Sequence, residues 1–562
     1  MALGSVALEE TPDRLGAYPR LSDDQLEALR VGGQERATSA GDVLFREGDR
    51  DYDFFVVLAG KVATIQDGEG EPQVIAVHGP RRFLGELSIL VGQPAFYSAE
   101  VAEPGRVLRV PVERLRERVG EDSAFADVVL HAFLQRRAIL VGLGVGLRIV
   151  GSCYSEDVRR LLEFVARNRI PHRWLDLEEH PDAERLLTRL GVPPEDTPIV
   201  LLGSELLRNP SNAELARALH LSSPAPKRRV ADLAVVGTGP AGLAAAVYGA
   251  SEGLTTIALD GVAVGGQAAT SSRIENYLGF PAGLSGAELA ERARIQALKF
   301  GAALTVPGEV TALGSRDGHQ VLELEQGPAV EAATVIVATG VRYRRLPVEG
   351  IDRFEATSVF HAATVMEARV CAGDPVAVVG GGNSAGQAAL FLSRHAAGVR
   401  LIVREPALSR GMSRYLIDRI ERTPAIEVLL ETEVREVQGA KVLEAIVVEH
   451  RPTAERRRIE ARALFVFIGA EPFTRWLGDE VALDEKGYVL TGPAAARAAG
   501  GGRDCMLLET SLPGVLAAGD VRSGSIKRVA SAVGEGSMAV RLVHERLSSL
   551  GHRPGQTKAS ST

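Results

Sequence analysis

The 562-residue sequence is too long for one hydrophobic core and predicts three or four domains. Hydrophobic residues make up 45% and charged residues 24%, as in ordinary globular proteins, and the net charge of −8 argues against nucleic-acid binding. The sequence has three cysteines, Cys153, Cys371 and Cys505, which are too few for a disulfide framework. It shows no signal-peptide pattern and no apolar run of about 20 residues. We therefore expect a cytoplasmic protein without a membrane span.

Short apolar alternations separated by Gly-Asp turns fill the first part of the chain and predict antiparallel strands. Segments 54–58 and 62–65 are predicted as paired core strands, and the apolar period of 125–140 predicts a closing helix. With Gly41-Asp42, Gly48-Asp49 and Leu58-Ala59-Gly60, residues 21–140 resemble the cyclic-nucleotide-binding family, a β-roll with flanking helices. We place this domain at 1–145.

The phosphate-binding cassette of that family is matched by Leu84-Gly85-Glu86-Leu87, Gly92-Gln93-Pro94 and Ser98-Ala99. The resemblance implies that Glu86 meets the ribose of a nucleotide and that an arginine shortly afterwards binds the phosphate. Tyr97 stands at that arginine position, and no basic residue lies between Arg82 and Arg106, so a phosphate lacks its charge-assisted partner. Cyclic-nucleotide binding and a docking or dimer role both remain open.

Strand and helix patterns alternate through residues 146–225, with predicted strands at 147–150, 171–177 and 199–202. With Thr197-Pro198 before the last strand, this part resembles the thioredoxin and glutaredoxin fold, in which the proline is cis and faces a CxxC redox turn. Here Ser152-Cys153-Tyr154-Ser155 occupies the turn. A helix start lowers the pKa of a thiol, so a monothiol role of Cys153 remains open beside a redox-inactive recognition or spacer role. A linker is predicted at 222–229.

The strand predicted at 233–236 leads directly into Gly237-Thr238-Gly239-Pro240-Ala241-Gly242 and then a helix. Gly237 permits a tight turn, Gly239 lets the backbone approach a pyrophosphate, and Gly242 lets helix and strand pack closely. The next strand, 255–259, ends in Asp260, about 20 residues on, where an acid can bond a ribose hydroxyl. Because the helix start also favours phosphate, the pattern predicts a dinucleotide site.

A second dinucleotide signature, Gly380-Gly381-Gly382-Asn383-Ser384-Ala385, follows the strand predicted at 376–379. Between and after the two signatures, apolar strands end in Thr339-Gly340 and in Gly519-Asp520. Two dinucleotide folds, one inserted in the other, predict a flavin and a nicotinamide brought face to face.

Residues 229–546 resemble the low-molecular-weight thioredoxin reductase family. The resemblance implies an FAD domain split into 226–344 and 464–562, an inserted NAD(P)H domain at 345–463, and a homodimer formed through the FAD domain. It places FAD on Gly237, Gly239, Pro240, Ala241, Gly242, Asp260, Gly265, Gly266, Gln267, Asn276, Val310, Thr339, Gly340, Gly519, Asp520, Lys527, Arg528 and Val529.

The same resemblance places the nicotinamide nucleotide on Gly380, Gly382, Asn383, Ser384, Ala385, Arg404 and Arg410. Family members that use NADPH carry arginines after the next strand for the 2′-phosphate. This chain has Arg404 at the first of these positions and Glu405 at the second. An arginine accommodates a 2′-phosphate and an acid disfavours it, so we expect NADPH, with NADH as the alternative.

The chain departs from the family at the redox site. The family places a CxxC just before the second dinucleotide strand, where this chain has V-F-H-A-A-T-V-M at 359–366. His361 is the one titratable side chain in that stretch, and it is either a proton donor to a reduced acceptor or an ordinary core or surface histidine. Cys371 lies beyond the stretch without a neighbouring cysteine.

The sequence therefore predicts a multidomain protein with a β-roll, an α/β thioredoxin-like domain and an α/β flavoprotein module of two dinucleotide-binding domains. The expected reaction moves hydride from NADPH to FAD and on to a small-molecule or protein acceptor. A redox-sensing scaffold, and a thioredoxin-disulfide reductase with a non-standard thiol, are the alternatives. No metal site is predicted.

Overall fold

The computed structural model describes residues 8–50, 52–66, 73–222, 230–271, 273–354, 357–361, 363, 367–368, 371–440 and 442–551. The chain divides into two compact units: Met1–Ala225 with Ala303–Pro307, and Pro226–Ala302 with Gly308–Thr562. Most of the predicted linker, 223–229, lies outside the described residues.

Short helices and strands build the chain up to residue 220. In chain order they are α1 (Asp23–Arg30), β1 (Gln34–Thr38), β2 (Val43–Phe45), β3 (Phe54–Gln66), β4 (Gln73–His78), α2 (Leu87–Val91), β5 (Ser98–Val110), α3 (Val112–Glu121), α4 (Ser123–Leu143), β6 (Leu147–Gly151), α5 (Glu156–Arg167), β7 (His172–Asp176), α6 (Pro181–Leu190), β8 (Ile199–Leu202), β9 (Glu205–Arg208) and α7 (Asn212–Ala218).

The first sheet is antiparallel, in the order β1-β5-β3-β4, with β2 also paired to β5. The prediction of two paired strands at 54–58 and 62–65 is wrong, because both segments belong to β3 and both pair with β5. At Gly60, where φ is +79°, the register shifts and the chain bends without reversing. A Cβ at Gly105 would lie 1.9 Å from the Ala59 oxygen, so glycine is required where β5 crosses the bend.

The second sheet has the order β7-β6-β8-β9, with β6 parallel to β7 and the other two pairs antiparallel. Ser155 is the N-cap of α5, and its side chain accepts from the Val158 N–H. The helix buries Val158, Leu161, Phe164 and Val165. The Thr197–Pro198 peptide is cis, as the thioredoxin-fold resemblance implied.

The remaining elements begin at residue 230. They are β10 (Val230–Val236), α8 (Pro240–Ser251), β11 (Thr256–Leu259), α9 (Gly286–Lys299), β12 (Ala303–Thr305), β13 (Val310–Arg316), β14 (His319–Leu324), β15 (Val330–Val337), β16 (Val341–Tyr343), β17 (Val359–Phe360), β18 (Pro375–Val379), α10 (Asn383–Leu392), β19 (Gly398–Ile402), α11 (Arg414–Glu421), β20 (Ile426–Leu429), β21 (Thr432–Gln438), β22 (Ala445–His450), β23 (Glu455–Glu460), β24 (Ala463–Val466), β25 (Ala470–Pro472), α12 (Gly492–Ala498), β26 (Val515–Ala517) and α13 (Val529–Ser549).

The strand order of the second unit shows one dinucleotide fold inserted in another. One sheet contains the run β11-β10-β15-β14-β13, and the late strand β26 pairs in parallel with β15. The inserted sheet is parallel in the order β17-β24-β18-β19-β20, beside a meander of β21, β22 and β23. Strands β16 and β25 pair at the two ends of the insertion. Among the described helices, none combines the length and apolarity needed to cross a membrane.

Candidate functional site

The turn from β10 into α8 has no room for side chains at two of its glycines. Gly237 has φ +97°, and a Cβ there would lie 2.4 Å from the Ala338 oxygen. A Cβ at Gly242 would lie 1.8 Å from the Gly237 oxygen. Both positions therefore need glycine, for the reasons that the sequence pattern indicates.

Gly239 differs from its neighbours because open space lies above it. The nearest atom to a Cβ at Gly239 would be the Gly266 Cα at 4.0 Å. Gly239 is also the N-cap of α8, and no side chain caps that helix. Beside it, the amide oxygen Oε1 of Gln267 is buried and has no partner among the described residues. Free backbone N–H groups at a helix start under open space fit a phosphate group.

Asp260 holds the turn through four hydrogen bonds to its own chain. One carboxylate oxygen accepts from the backbone N–H and the hydroxyl of Thr238, both at 2.8 Å. The other accepts from the N–H groups of Val262 at 3.0 Å and Ala263 at 3.2 Å. The acid thus lies beside the turn, as expected, and it also fixes Thr238 in the turn.

Segments far apart in sequence meet at this helix start. A Cβ at Gly519 would lie only 2.9 Å from the Ala241 Cβ. A Cβ at Gly237 would lie 2.8 Å from the Thr339 Cα. Burial raises the pKa of the Asp520 carboxyl, next to Gly519. The structure therefore brings together most of the residues predicted for one cofactor.

The other residues predicted to bind FAD differ in how deeply they are buried. Val310 is buried where β13 begins, close to Asp260, whose carbonyl accepts from the Gly308 N–H at 2.7 Å. Asn276 is exposed. The Lys527 ammonium donates to the Tyr488 hydroxyl at 3.0 Å. The residues Arg528 and Val529 are the N-cap and first residue of α13, and Gly265 donates its N–H to the Thr238 carbonyl.

The turn from β18 into α10 repeats the same construction. Gly380 has φ +143°, and a Cβ there would lie 2.4 Å from the Phe467 oxygen. Gly382 is the N-cap of α10 without a side-chain cap, and a Cβ there would meet nothing nearer than the Gly411 oxygen at 3.9 Å. This second helix start fits a second pyrophosphate. Ser384 and the buried Ala385 lie in the first turn of α10.

Ser413 lies next to the second helix start and is not among the residues that the sequence pattern predicts there. Its backbone N–H donates to Asn383 Oδ1 at 2.7 Å, and its own hydroxyl is buried without a partner among the described residues. Ser413 is the N-cap of α11, so a serine before a helix pattern was the available signal.

The two charged residues directly after β19 pair with each other. The exposed Arg404 donates through Nε to Glu405 Oε1 at 2.9 Å. The other oxygen of Glu405 would lie 3.1 Å from a Cβ at Gly381. Glu405 therefore lies against the turn, with Arg404 paired to it. Arg410 ends the short 3-10 helix Leu408–Arg410.

The three cysteines are free, and the pKa of each thiol is raised. Burial raises the pKa of Cys371 to about 11, and its Sγ donates to the Glu367 carbonyl at 3.2 Å. Burial and the Asp176 carboxylate raise the pKa of Cys153, and burial raises the pKa of Cys505.

His361 is half-buried directly after β17. Of its predicted neighbours, Ala362 and 364–366 lie outside the described residues. No metal-binding group of His, Cys, Asp or Glu occurs in the described part of the chain.

Two protein families match the chain. Residues 231–536, more than half of its length, match the family described as pyridine nucleotide-disulphide oxidoreductase. Residues 35–122 match the cyclic nucleotide-binding domain.

Relatives of known name match the same part. The thioredoxin reductase of Schizosaccharomyces pombe is 33% identical over 325 residues, covering 56% of this chain and 97% of the relative. A 34.2 kDa protein in the rubredoxin operon of Clostridium pasteurianum is 31% identical over 314 residues, covering 56% and 96%. The crystal structure of T. acidophilum thioredoxin reductase matches with a TM-score of 0.52 and 30% identity, over 57% of this chain and 99% of that structure. The chain therefore belongs to the pyridine nucleotide-disulphide oxidoreductase family and is a thioredoxin-reductase-like flavoenzyme, with FAD and NADPH as its cofactors.

Proposed function

We propose that this chain transfers electrons from NADPH through FAD to a separate acceptor without a dithiol of its own. The observation that carries the proposal is the state of Cys371, the cysteine nearest in sequence to the NADPH turn. Its thiol is buried and its pKa is raised to about 11, so the nucleophilic thiolate is scarce at neutral pH. A relay also needs two thiols whose Cα atoms lie within about 7 Å. The sequence offers three widely spaced cysteines, and all are free.

In this proposal the protein binds and orients while the cofactor supplies the chemistry. The N-terminus of α8 at Gly239 receives the FAD pyrophosphate, and Asp260 keeps Thr238 in place beside it. The N-terminus of α10 at Gly382 receives the NADPH pyrophosphate. When bound, the flavin accepts hydride from the nicotinamide and passes electrons onward.

The acceptor is a small molecule or a protein that docks beside His361, and the active form is a homodimer through the FAD domain, by the family resemblance. One relative is named for its rubredoxin operon, which places electron-carrier proteins among the acceptors to screen. A cytoplasmic location stays a prediction. The second candidate is thioredoxin-disulfide reduction through a non-standard thiol, favoured by the names of the relatives. The third candidate function is that of a redox sensor. Steady NADPH consumption in the presence of an acceptor would argue against a sensor.

We further propose that residues 146–225 form a thioredoxin-like recognition or spacer domain. The order β7-β6-β8-β9 and the turn ahead of α5 support this. The serines at the two redox positions have structural partners: Ser152 donates to Glu178 at 2.8 Å, and Ser155 caps α5. Between them, the raised pKa of Cys153 disfavours a monothiol role.

We expect Gly239→Val to give a folded but colourless protein. The valine side chain would fill the open space above the start of α8 and block approach of the pyrophosphate. Absorbance at the flavin band relative to protein absorbance measures the loss, and circular dichroism checks the fold. Gly314→Val, in β13, is the control that should keep its flavin, because no atom of the described residues lies within 4 Å of the position that a Cβ would take there. A fully yellow Gly239→Val protein would show that this turn does not hold FAD.

We expect Glu405→Gln to tighten binding of 2′-phosphorylated nucleotides and Arg404→Ala to weaken it. Glu405→Gln releases Arg404 from its ion pair and removes a negative charge beside the turn. Arg404→Ala removes the expected charge-assisted hydrogen bond to the 2′-phosphate, which is worth about 1.5–3 kcal/mol. Calorimetry with 2′,5′-ADP and 5′-AMP measures binding, and Michaelis constants for NADPH and NADH measure use. Arg400→Ala, on the preceding strand β19, is the control. Equal effects on both nucleotides would contradict this assignment.

We expect a variant with Cys153→Ser, Cys371→Ser and Cys505→Ser to oxidise NADPH with ferricyanide or a quinone at a nearly unchanged rate. The proposed path crosses no thiol, so only the packing around Cys371 changes. Flavin content and acceptor-linked NADPH oxidation are measured together, with the wild-type chain alongside. Turnover lost while flavin is kept would place a thiol in the path and favour the disulfide reductase.

A further inference from the structure

The cassette of the β-roll is already filled by the chain's own Arg137. Arg137 lies on α4 and donates Nε to Glu86 Oε2 at 2.8 Å and Nη2 to Glu86 Oε1 at 3.1 Å. The side chains of this pair are only 3% and 1% exposed. Glu86 Oε1 also accepts from the Ser88 N–H, and Arg137 Nη2 donates to Gln93 Oε1 at 3.2 Å. The acid that a nucleotide ribose would meet is thus engaged by a guanidinium inside the protein.

A second arginine of α4 closes the other side of the cassette. Arg136 is buried and donates to the Gly85 carbonyl at 2.7 Å and to the Ala17 carbonyl at 2.8 Å. Its guanidinium carbon lies 4.6 Å from the centre of the Phe83 ring. Helix α4 therefore supplies basic groups that residues 83–105 lack. The hydrogen bonds of Arg136 through Nε and Nη1 go to the protein, while its Nη2 is buried without a partner among the described residues.

The tip of the cassette is built into the core of the following domain. Phe96 is fully buried in a cluster whose other members, including Leu161, Phe164 and Val200, all come from residues 147–221. Both domains belong to the first compact unit. The Arg137 guanidinium lies 5.2 Å from the Phe96 ring centre and also donates to the Arg169 carbonyl at 3.4 Å. Arg137 therefore joins the cassette to the domain that Phe96 enters.

Polar contacts continue this junction on both sides of Phe96. Gln66, at the end of β3, donates to the Gly146 carbonyl at 3.0 Å. Arg50 forms an ion pair with Glu205 at 3.0 Å, and a Cβ at Gly203 would lie 2.5 Å from the Glu47 oxygen. The ligand side of the β-roll is therefore a packed interface.

We propose that the cassette at 84–99 is the docking surface of the β-roll for the α/β domain at 147–221, with Arg137 in the place of a ligand. The β-roll then holds its neighbour in a fixed position and is closed to cyclic nucleotides. All the contacts involved lie within the first compact unit, so the docking role does not depend on which electron acceptor the second unit uses.

The first arm of the test is calorimetry on the full-length flavin-loaded protein with cyclic AMP and cyclic GMP. We expect no saturable isotherm with either nucleotide up to about 1 mM. A saturable isotherm would overturn the proposal, because it would show that the cassette opens to ligand.

The second arm is hydrogen exchange measured by mass spectrometry on the full-length chain with Phe96→Ala or the milder Phe96→Leu. Loss of the buried ring should raise amide exchange in α5 and β8, which face it, by about tenfold or more, and less for leucine. The matched control is Phe54→Leu, which removes a ring from the β-roll's own core beside Phe83. Its effect should fall on β3 and α4.

The flavin absorbance of each variant shows that the second unit is intact. Exchange changes confined to 84–99 in the Phe96 variants would overturn the docking role. Equal changes in α5 with Phe54→Leu would overturn it too, because Phe96 would then act only through β-roll stability.

Discussion

Backbone closeness at the turn from β10 into α8 fixes the geometry of the flavin module. With Gly242 against the Gly237 oxygen and Gly237 against Ala338, the helix begins as close to the sheet as peptide groups allow. That closeness brings the ends of β15 and β26 to the same helix start, where Gly519 meets Ala241. A larger side chain at either glycine would separate these segments, so the site and the packing of the sheet depend on the same contacts.

The two dinucleotide turns share this constraint but differ in the charge beside them. At the first turn, Asp260 is held by four donors of its own chain, so it is a fixed part of the turn. At the second, Glu405 has Arg404 as its partner, and the pair is exposed on the arginine side. An exposed pair of this kind is worth about 0–1 kcal/mol and rearranges easily. Under the proposed assignment, coenzyme discrimination at the second turn is therefore the more adjustable property, and attachment of FAD at the first turn is the more rigid one.

The parts of the structure that the sequence predicts are those with local signals. The glycine turns, the strands ending in Asp260 and Gly519, and α4 each depend on residues within one or two elements, and the structure has them. The sequence predicts a hairpin where β3 only bends, because Leu58-Ala59-Gly60 is equally compatible with a turn between two strands and with a bend within one strand. The contacts of Arg137 with Glu86 and of Phe96 with α5 join residues about 50 or more positions apart, and no local pattern reports such pairs.

A buried arginine–glutamate pair gives little net stability, because desolvation offsets the attraction, but removing one partner costs about 3–5 kcal/mol. Glu86 and Arg137 are in that position, and they have different secondary partners: Ser88 for the acid, Gln93 and the Arg169 carbonyl for the base. A nucleotide that took Glu86 would leave the guanidinium buried without a counter-charge. The affinity of that nucleotide would fall by about two to four orders of magnitude from this cost alone. The guanidinium of this pair also lies 5.2 Å from the centre of the Phe96 ring, so we expect that displacing Arg137 would disturb the packing of Phe96 against the next domain as well.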